Sequence, residues 1–426
     1  MKKSPLGLIL LASTLIYGVC SVWIHGWPDN YWAWRSQLRL LSGIVLMAVM
    51  AGAMLLAMRP LWLERALGGL DKLYAQHKRF GIAAGVLLGA HWLIELSPRL
   101  FVAMQWVEPK LRRAGGGGAR DPLVSLAKDM GEWAGWAMLA MVLFALLRAL
   151  PYRIWRPSHK LFGVLTLAGV FHGLMLADKA LWLTPAGLLL GAVLLLCTLS
   201  ALWSLFGRIG HSRRYSGQVT AIRPLPGRQL EVLCTVRDWP GHQAGQFALL
   251  SFARKEGAHP FTIASAARKG GELRFIIKAL GDYTATLADT LKPGAPVEVE
   301  GPYGGFHHGA NAHEAWVAGG IGVTPFLAWL EARALQGGAG TVDFYYCVRN
   351  AAEAAGLAEI RAACAASGVR LHLIESEQGM RLDASMLPEV DDVWFCGPAS
   401  LGTALAQQLS AREQAPVFHH EAFSMR

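Results

Sequence analysis

The sequence predicts a multidomain membrane protein with a six-helix all-α transmembrane bundle, then an antiparallel β-barrel, then an α/β domain with a parallel sheet. Of its 426 residues, 53% are hydrophobic and 16% are charged. The mean hydropathy of +0.33 is typical of membrane proteins rather than cytosolic ones. Nearly all the long apolar runs lie before residue 207. We expect the three domains to cover residues 1–212, 213–310 and 311–426.

Six apolar segments are each long enough to cross a bilayer, which takes about 20 helical residues. The first follows Met1-Lys2-Lys3 and runs to about Val22. No small-residue cleavage site stands out in it, so we expect an uncleaved helix rather than a signal peptide. The other five segments lie near residues 38–58, 77–96, 131–150, 159–177 and 182–206.

Basic residues predict the orientation of these helices, because lysine and arginine are enriched in loops on the cytoplasmic side. Most loops that are rich in lysine and arginine fall on the same side of the membrane when the spans alternate in direction. Because there are six spans, the soluble half begins on the side where the N-terminus lies. We therefore expect a multi-pass protein of a bacterial-type inner membrane whose soluble half faces the cytoplasm. The basic loop 97–130 disagrees with this topology. Loop basicity also explains the net charge of +10, so the expected partner is a lipid bilayer and not a nucleic acid.

The third and fifth segments each carry two histidines, which are the candidate metal ligands. His91 follows His77 by 14 residues, and His172 follows His159 by 13. In each helix the two rings are therefore about 20 Å apart, within a hydrocarbon core about 30 Å thick. Two such helices side by side present an inner pair, His77 with His159, and an outer pair, His91 with His172. This arrangement suits bis-histidine ligation of two stacked b-type haems.

The spacing in the second of these helices requires a distortion. At about 100° per residue, 14 residues return nearly to the same face, whereas 13 leave the rings roughly 140° apart on a straight helix. We expect overwinding, a kink or a tilt between His159 and His172, which Gly163 and Gly169 make plausible. The alternative is that the four histidines are polar residues that hydrogen-bond between helices.

The soluble half begins with strand patterns and continues with alternating strands and helices. The segments QVTAI, LEVLCTV and QFALLSF, separated by Pro and Gly turns, predict strands of a small β-barrel, with one helix near 285–291. From residue 315 the order becomes strand, helix, strand, helix, with helices near 351–365 and 399–411. A glycine-rich turn follows the first of these strands. The backbone N–H groups of such a turn, together with a helix N-terminus, form an anion pocket.

Three motifs in this half carry a resemblance. A barrel with HPFTIAS (259–265), followed by GGIGVTP (319–325) and CGP (396–398), resembles the ferredoxin–NADP reductase superfamily. With the predicted bis-haem bundle in front, the whole chain resembles the NADPH oxidase / ferric reductase family. The resemblance implies an FAD-binding β-barrel and an NADPH-binding α/β domain of half-Rossmann type. It implies three kinds of cofactor: FAD, NADPH and two b-type haems.

The resemblance also implies the flavin-binding residues. The candidates are His259, Pro260, Phe261, Thr262, Lys278 and Thr284. Phe261 would pack against the isoalloxazine, and Thr262 would lie near its reactive edge. Because a neutral imidazole binds a pyrophosphate less well than the arginine usual in soluble reductases, we expect Lys278 and Thr284 to be the phosphate partners rather than His259.

The dinucleotide site is implied in the same way. The binding candidates are Gly320, Gly322, Thr324, Pro325, Arg349, Gly397 and Pro398, and the catalytic candidates are Cys396 and Phe423. The turn would hold the phosphates, and Cys396 would border the nicotinamide. Phe423 matches the near-terminal aromatic residue that covers the flavin. Arg349 follows a strand that no acidic residue closes, which favours a 2′-phosphate and therefore NADPH over NADH.

The implied activity is electron transfer from cytosolic NADPH through FAD and the two haems to an acceptor on the outer face. Dioxygen, giving superoxide, is the first expectation. A ferric-chelate reductase and an electron-relay subunit for a periplasmic acceptor protein are the alternatives. Superoxide-producing relatives commonly have a histidine four residues past the outer ligand of the third helix, where this chain has Glu95. An acidic residue there suits a cationic metal or a helix cap.

Overall fold

The computed structural model describes residues 4–110, 121–147, 152–253, 257–306, 313–337, 340–354 and 356–421. The chain divides into two compact units. The first comprises the residues up to Leu67 and Lys72–Ile209, and the second comprises Gly68–Asp71 and the residues from Gly210 onward. The first unit is helical and the second contains both sheets. The domain limits at residues 212 and 310 remain predictions.

Six helices among the described residues are long and apolar enough to cross a membrane, as predicted. The helices of the first unit are α1 (Pro5–His25), α2 (Tyr31–Met58), α3 (Leu61–Leu67), α4 (Leu70–Ala103), α5 (Pro122–Leu147), α6 (Tyr152–His159), α7 (Leu161–Leu176) and α8 (Pro185–Leu205). The short helix α3 precedes α4. The end of α6 and the whole of α7 form one span, Pro157–Leu176.

Several of these helices begin before the apolar segments that predict them. The segment 38–58 lies in α2, which begins at Tyr31 because the Asn30 side chain caps it, accepting a hydrogen bond from the Ala33 N–H at 3.0 Å. Helix α4 likewise begins at Leu70 rather than at residue 77. Hydropathy finds the part of a helix that lies in hydrocarbon, and polar turns continue the helix beyond that part.

Helix α2 forms the core of the bundle, and its residues from Ile44 to Leu56 are mostly buried. It packs closely against α1 and α8, while α7 packs closely against α5 and α8. Small residues allow these approaches: a Cβ added at Gly163 of α7 would meet Cγ of Leu205 of α8 at 2.9 Å. Within the described residues α4 is not part of any closely packed pair. Its side chains reach α2, because a Cβ added at Gly52 would meet Cδ1 of Phe80 at 2.8 Å.

The helix that carries His159 and His172 is interrupted, which confirms the distortion predicted from their spacing. Helix α6 ends at His159 and α7 begins two residues later. Lys160 N–H donates to the Pro157 carbonyl at 3.2 Å, and Gly163 N–H donates to the Lys160 carbonyl at 3.0 Å. Both bonds join residues three apart, as in a 3₁₀ helix, which turns about 120° per residue. This overwinding turns His159 toward the face that carries His172.

The second unit begins with the predicted antiparallel barrel. Its elements are β1 (Arg214–Leu225), β2 (Gln229–Val236), β3 (Phe247–Ser251), β4 (His259–Thr262), β5 (Glu272–Lys278), α9 (Asp282–Thr290) and β6 (Pro296–Tyr303). The strand order is β4-β3-β6-β1-β2-β5. Ile263 forms a bridge with Phe275, and Ala264 N–H donates to the Arg274 carbonyl at 2.7 Å. These contacts join the two edge strands and close the barrel.

The rest of the unit is the predicted α/β domain. Its elements are β7 (His313–Gly319), α10 (Thr324–Gln336), β8 (Thr341–Val348), α11 (Leu357–Ser367), β9 (Val369–Glu375), β10 (Asp392–Cys396), α12 (Ala399–Ser410) and β11 (Val417–His420). The strands are parallel in the order β11-β10-β7-β8-β9. The order reverses between β7 and β10, and ligands bind at the carboxyl ends of the strands at such a point.

Candidate functional site

The four candidate histidines lie in two pairs. The ring centroids of His77 and His159 are 6.1 Å apart with an interplanar angle of 78°. Those of His91 and His172 are 6.5 Å apart with an angle of 82°. Along α4 the two pairs are about 20 Å apart. The structure thus places His77 beside His159 and His91 beside His172, which are the two pairs predicted from the sequence.

The separation within each pair fits one haem iron between the rings. An imidazole nitrogen lies about 1 Å from its ring centroid and binds a transition metal at about 2 Å, so two rings on opposite sides of one ion have centroids about 6 Å apart. Among the described residues, no group of three or more His, Cys, Asp or Glu side chains is arranged to hold a metal. Each pair offers two nitrogen ligands, which is the number that a bis-histidine haem takes from the protein, whereas zinc sites use three or four.

Two of the rings are oriented by backbone carbonyls of neighbouring helices. His77 Nδ1 lies 2.9 Å from the Ala53 carbonyl oxygen of α2, and His172 Nδ1 lies 2.9 Å from the Ala127 carbonyl oxygen of α5. A carbonyl oxygen only accepts, so Nδ1 carries the proton in both rings and Nε2 keeps its lone pair. A bond of this kind orients a metal-ligating histidine and raises its basicity.

His91 is held through a hydroxyl group. Its Nδ1 lies 2.8 Å from Ser42 Oγ, which itself lies 3.0 Å from the Arg39 carbonyl oxygen. Because a serine hydroxyl has one hydrogen and gives it to the carbonyl, Ser42 accepts from His91. Three of the four rings thus have Nε2 available as a ligand. The alternative of interhelical polar contacts accounts for the Nδ1 bonds but does not require the rings to meet in pairs.

One glycine makes room for the His172 ring, and another lies at ordinary contact distance from the His91 ring. A Cβ added at Gly131 of α5 would overlap the His172 ring, reaching its Cγ at 2.6 Å. A Cβ at Gly43 of α2 would lie 3.6 Å from His91 Cε1. Neither glycine has a distinguishing signal in the sequence, because glycine is common in membrane helices. The same holds for Ser42, whose partner is visible only in the folded bundle.

Replacing Gly131 with alanine is expected to displace the His172 ring and to lower the haem content by about one per chain, because the added methyl overlaps the ring and overpacking costs about 1–3 kcal/mol. A pyridine haemochrome assay on the purified variant measures this. Gly135→Ala on the same helix is the control, since a Cβ there would meet Leu88 Cδ1 at an ordinary 3.6 Å. Full haem content in G131A would contradict the packing role.

An ion-pair group lies one helical turn past His91. Glu95 contacts the guanidinium of Arg35 at 2.5 Å and that of Arg39 at 3.5 Å, both from α2. Glu95 is therefore already paired. These three side chains together leave one positive charge in excess beside the His91–His172 pair.

The HPFT motif forms strand β4, and one of its side chains meets the start of α9. The His259 ring stacks on Tyr283, with centroids 4.7 Å apart and an angle of 21°. Phe261 packs partly buried against the barrel core, and Thr262 is buried. Lys278 is the last residue of β5, shortly before α9. The structure thus brings His259 of this motif to the first turn of α9, where Thr284 also lies, and adds Tyr283, an aromatic residue in GDYT that the motif alone does not mark.

Thr284 has a local role in this region. Its hydroxyl accepts hydrogen bonds from the backbone N–H groups of Leu280 and Gly281 at 3.0 and 3.1 Å. It also lies 3.2 Å from the Gly281 carbonyl oxygen, to which it donates. Thr284 therefore fixes the turn that opens α9. Its direct contact with a flavin phosphate remains a proposal.

The glycine-rich turn and the CGP motif meet at the carboxyl ends of β7 and β10. A Cβ at Gly319 would meet Pro398 Cδ at 2.5 Å, and one at Gly322 would meet the carbonyl carbon of Cys396 at 2.6 Å. A Cβ at Gly397 would meet Gly319 Cα at 3.0 Å. The two backbones are so close that a side chain does not fit between them, which explains the glycines.

The turn leads directly into a helix N-terminus. Gly320 has a φ of 57°, in the left-handed region that favours glycine. A 3₁₀ turn over Gly320–Val323 follows, and Thr324 and Pro325 open α10. The N–H groups of this first turn lie at the crevice between β7 and β10, where a phosphate binds in this class of fold.

Cys396 is fully buried at the end of β10. Burial, and then the charge of Glu421, raises the pKa of its thiol well above the usual range. The thiol is therefore protonated at physiological pH and does not act as a thiolate. Phe423, the other catalytic candidate, lies outside the described residues. Glu421 is buried and lies close to Gly304, where a Cβ would meet its Oε1 at 2.9 Å.

Arg349 follows β8, at the edge where the ribose lies in this class of fold. Its Nε lies 2.7 Å from Oε1 of Glu377, which follows β9. An acidic residue is therefore present at this edge after all, supplied by the neighbouring strand rather than by the one that Arg349 follows. The predicted preference for NADPH depends on Arg349 alone at the end of β8, and Glu377 now adds a negative charge beside that arginine.

Comparisons with known proteins agree with both halves of this description. Residues 42–170 match the family model of a ferric reductase like transmembrane component, and residues 236–307 match that of an FAD-binding domain. The first range contains His77, His91 and His159 and ends just before His172. The second contains the HPFT motif and Lys278.

Similar proteins include several reductase components. The chain is 27% identical over 223 residues to the ferredoxin–NAD(+) reductase component of the alkene monooxygenase system of Xanthobacter autotrophicus, covering 48% of this chain and 68% of that protein. It is 26% identical over 196 residues to the toluate 1,2-dioxygenase electron transfer component of Pseudomonas putida, covering 42% and 58%. It is 32% identical over 148 residues to ferric reduction oxidase 7, chloroplastic, of Arabidopsis thaliana, covering 30% of this chain and 20% of that protein.

Among solved structures, a flavohemoglobin from Malassezia yamatoensis with bound FAD and heme aligns over 96% of this chain and 98% of its own, with a TM-score of 0.48 and 17% identity. The family models place a ferric reductase-like membrane domain and an FAD-binding domain in one chain. Together with the reductase relatives, they show an NAD(P)H-dependent oxidoreductase of the membrane. The chain is therefore similar to ferric reductases in its membrane half and to ferredoxin-type reductases in its soluble half.

Proposed function

We propose that this chain carries electrons from NADPH, through FAD and two b-type haems, across the membrane to a one-electron acceptor on the outer face. The observation that carries the proposal is the pair of facing imidazole couples between α4 and α6–α7, each at a separation that fits one haem iron. A single couple would serve a local redox centre. Two couples at different depths suit passage through the bilayer.

The residues of the chain bind and orient the cofactors. His77 and His159 would hold one haem, and His91 and His172 the other. The Nδ1 bonds to Ala53, Ala127 and Ser42 keep Nε2 free as the ligand atom. When bound, FAD exchanges electron pairs with the nicotinamide and single electrons with a haem, so the cofactors supply the redox chemistry and no acid–base group of the protein is required.

The second unit would bind the nucleotides. Phe261 and Thr262 would contact the flavin, with Lys278 and the turn at Thr284 near its phosphates. The N–H groups of the turn at Gly320 and at the start of α10 would bind the phosphates of the nicotinamide nucleotide. The Cys396-Gly397-Pro398 segment would border the nicotinamide, with Cys396 acting as a neutral, buried packing group.

The proposed orientation puts the soluble half in the cytoplasm of a bacterial-type inner membrane. It is supported by the basic residues of most loops. Electrons then move outward from a negative interior, which is favourable by about 2.3 kcal/mol per elementary charge per 100 mV. The membrane potential therefore assists turnover, and continued turnover requires a compensating cation.

We propose dioxygen as the acceptor, with superoxide as the product, and a ferric chelate as the second candidate. His91 and His172 would together hold the outer haem, so neither acceptor would need a protein ligand to be displaced in order to receive an electron. The similarity to ferric reduction oxidase 7 supports the second candidate. Two arginines, Arg35 and Arg39, surround the single carboxylate of Glu95 and leave one positive charge in excess. This charge would attract an anionic ferric chelate and would also stabilise the superoxide anion.

Matched steady-state rates would decide between the acceptors. Purified protein with FAD, haem and NADPH is expected to reduce cytochrome c in air in a way that superoxide dismutase suppresses. Under argon with ferric citrate, ferrozine colour at a higher rate would favour the ferric-chelate reductase instead. Haem reduction that stalls with both acceptors would point to a relay subunit that needs a periplasmic protein partner. Absence of NADPH-dependent haem reduction would contradict the proposed function itself.

A further inference from the structure

The edge of the nucleotide-binding sheet holds an arginine and a carboxylate in contact. Arg349 Nε and Glu377 Oε1 are 2.7 Å apart, with side chains 69% and 45% exposed. Glu377 N–H also donates to the Arg349 carbonyl at 3.0 Å. Asn350 Nδ2 donates to Glu377 Oε2 at 2.9 Å. One ion pair and two hydrogen bonds therefore join the segment after β8 to the segment after β9, and they hold the Glu377 side chain in place.

The two groups have opposite preferences for a nicotinamide nucleotide. In sheets of this class, a carboxylate at the end of the second strand accepts a hydrogen bond from the ribose 2′-hydroxyl, whereas an arginine there accommodates a 2′-phosphate. Here β8 is the second strand of the β7–α10–β8 unit and provides Arg349. The carboxylate comes from the end of β9, the next strand in the sheet. One edge therefore contains both recognition groups.

A 2′-phosphate and Glu377 compete for the same guanidinium. A phosphate monoester carries a charge of about −1.5 to −2 near neutral pH. To contact Arg349 it must displace the Glu377 carboxylate or lie beside it, and both lower the gain from the arginine. A 2′-hydroxyl meets no such opposition, because it can donate to the carboxylate.

We propose that Glu377 is a specificity-determining residue that holds Arg349 and thereby keeps the discrimination between NADPH and NADH small. The inference rests on the proposed binding of the nucleotide at the β7–β10 crevice. It concerns the preference between NADPH and NADH, which the proposed electron transfer through the haems does not determine. Glu375 is close by, but its Oε2 accepts from the Ala351 N–H at 2.7 Å and its Oε1 from Gln378 at 3.0 Å. Glu375 therefore secures the turn after β8, whereas Glu377 contacts the guanidinium.

Glu377→Gln is the direct test, because glutamine keeps the size of the side chain and removes the charge. In the full chain loaded with FAD, the KM for NADPH is expected to fall by about tenfold, since removal of a neighbouring negative charge strengthens attraction of the phosphate at a partly screened surface. The KM for NADH should rise a few-fold because a carboxylate acceptor is lost, while kcat stays nearly constant for both. Steady-state reduction of ferricyanide, an artificial acceptor that takes electrons from the reduced flavin, measures these values without any outer acceptor.

Two further variants complete the design. Arg349→Gln should weaken 2′,5′-ADP binding by calorimetry and leave 5′-AMP binding almost unchanged. Glu272→Gln is the matched control, because it removes a carboxylate from another exposed ion pair, with Arg268 at 3.8 Å. It should change the KM for neither NADPH nor NADH. An unchanged NADPH-to-NADH ratio in E377Q, or an equal change for both, would overturn the proposal. Correct 2′,5′-ADP binding without electron transfer to the haems would count against the proposed function alone.

Discussion

Replacing His91 or His172 with alanine is expected to remove one of two haems per chain and to abolish reduction of any outer acceptor. In the proposed site each ring of the 6.5 Å pair would supply one of two protein ligands to the haem, and a b-type haem has no covalent link to hold it when a ligand is lost. FAD content and its reduction by NAD(P)H should remain, because those sites lie in the second unit. Pyridine haemochrome spectra and anaerobic flavin bleaching measure the two effects separately.

His25→Ala is the matched control for this experiment. His25 belongs to the same unit but pairs with the Asp178 carboxylate at 2.8 Å rather than with another histidine. It should retain two haems and near-normal acceptor reduction. If H91A and H172A retained two low-spin haems, the assignment of the ligands to α4 and α7 would be wrong.

Replacing Gly322 with alanine is expected to give the second large effect, a loss of nucleotide-dependent flavin reduction. A Cβ there would lie 2.6 Å from the carbonyl carbon of Cys396 and 2.9 Å from the Gly397 nitrogen. Both neighbours are backbone atoms that cannot rotate away, so the turn must move out of the crevice. Overpacking of this kind costs about 1–3 kcal/mol, which corresponds to roughly 5- to 150-fold in nucleotide affinity or rate.

Chemical reduction isolates the cause in this variant. Dithionite should still reduce the haems of G322A, because the histidine pairs are untouched. Stopped-flow traces with NADPH and with NADH should both be slow, in contrast to the nucleotide-selective effect of Glu377→Gln. Wild-type rates with both nucleotides would show that the approach of β7 to β10 has no bearing on nucleotide binding.

The histidine pairs could be predicted because membrane depth is encoded directly in sequence position. A helix of known rise, placed in a layer of known thickness, turns a spacing of 13 or 14 residues into a depth. The same helical geometry predicts that the helix with His159 and His172 is distorted. It does not predict that the break falls at Lys160, since that depends on local hydrogen bonding around Pro157.

The residues that support the pairs could not be predicted in this way. Ala53 and Ala127 act through backbone carbonyls, which carry no residue-type signal. Gly131 matters only because His172 of another helix lies against it. Such relations depend on how helices pack, which hydropathy and spacing do not specify.

The contact of Arg349 with Glu377 illustrates the same limit in the sheet. The motif order predicts a parallel sheet and places Arg349 after its second strand. That Glu377 reaches the same edge follows from the spatial order, in which β8 and β9 are neighbours. Sequence alone therefore identifies the guanidinium and misses the carboxylate that opposes it.

The most direct test of the central claim is the number and ligation of haems in the purified wild-type chain. Pyridine haemochrome and FAD assays on one sample, together with low-temperature EPR, give the stoichiometry and the axial ligands. We expect two b-type haems for each FAD, both low-spin with bis-imidazole signals. One haem per FAD, or a high-spin signal from an iron with a single histidine, would contradict the account.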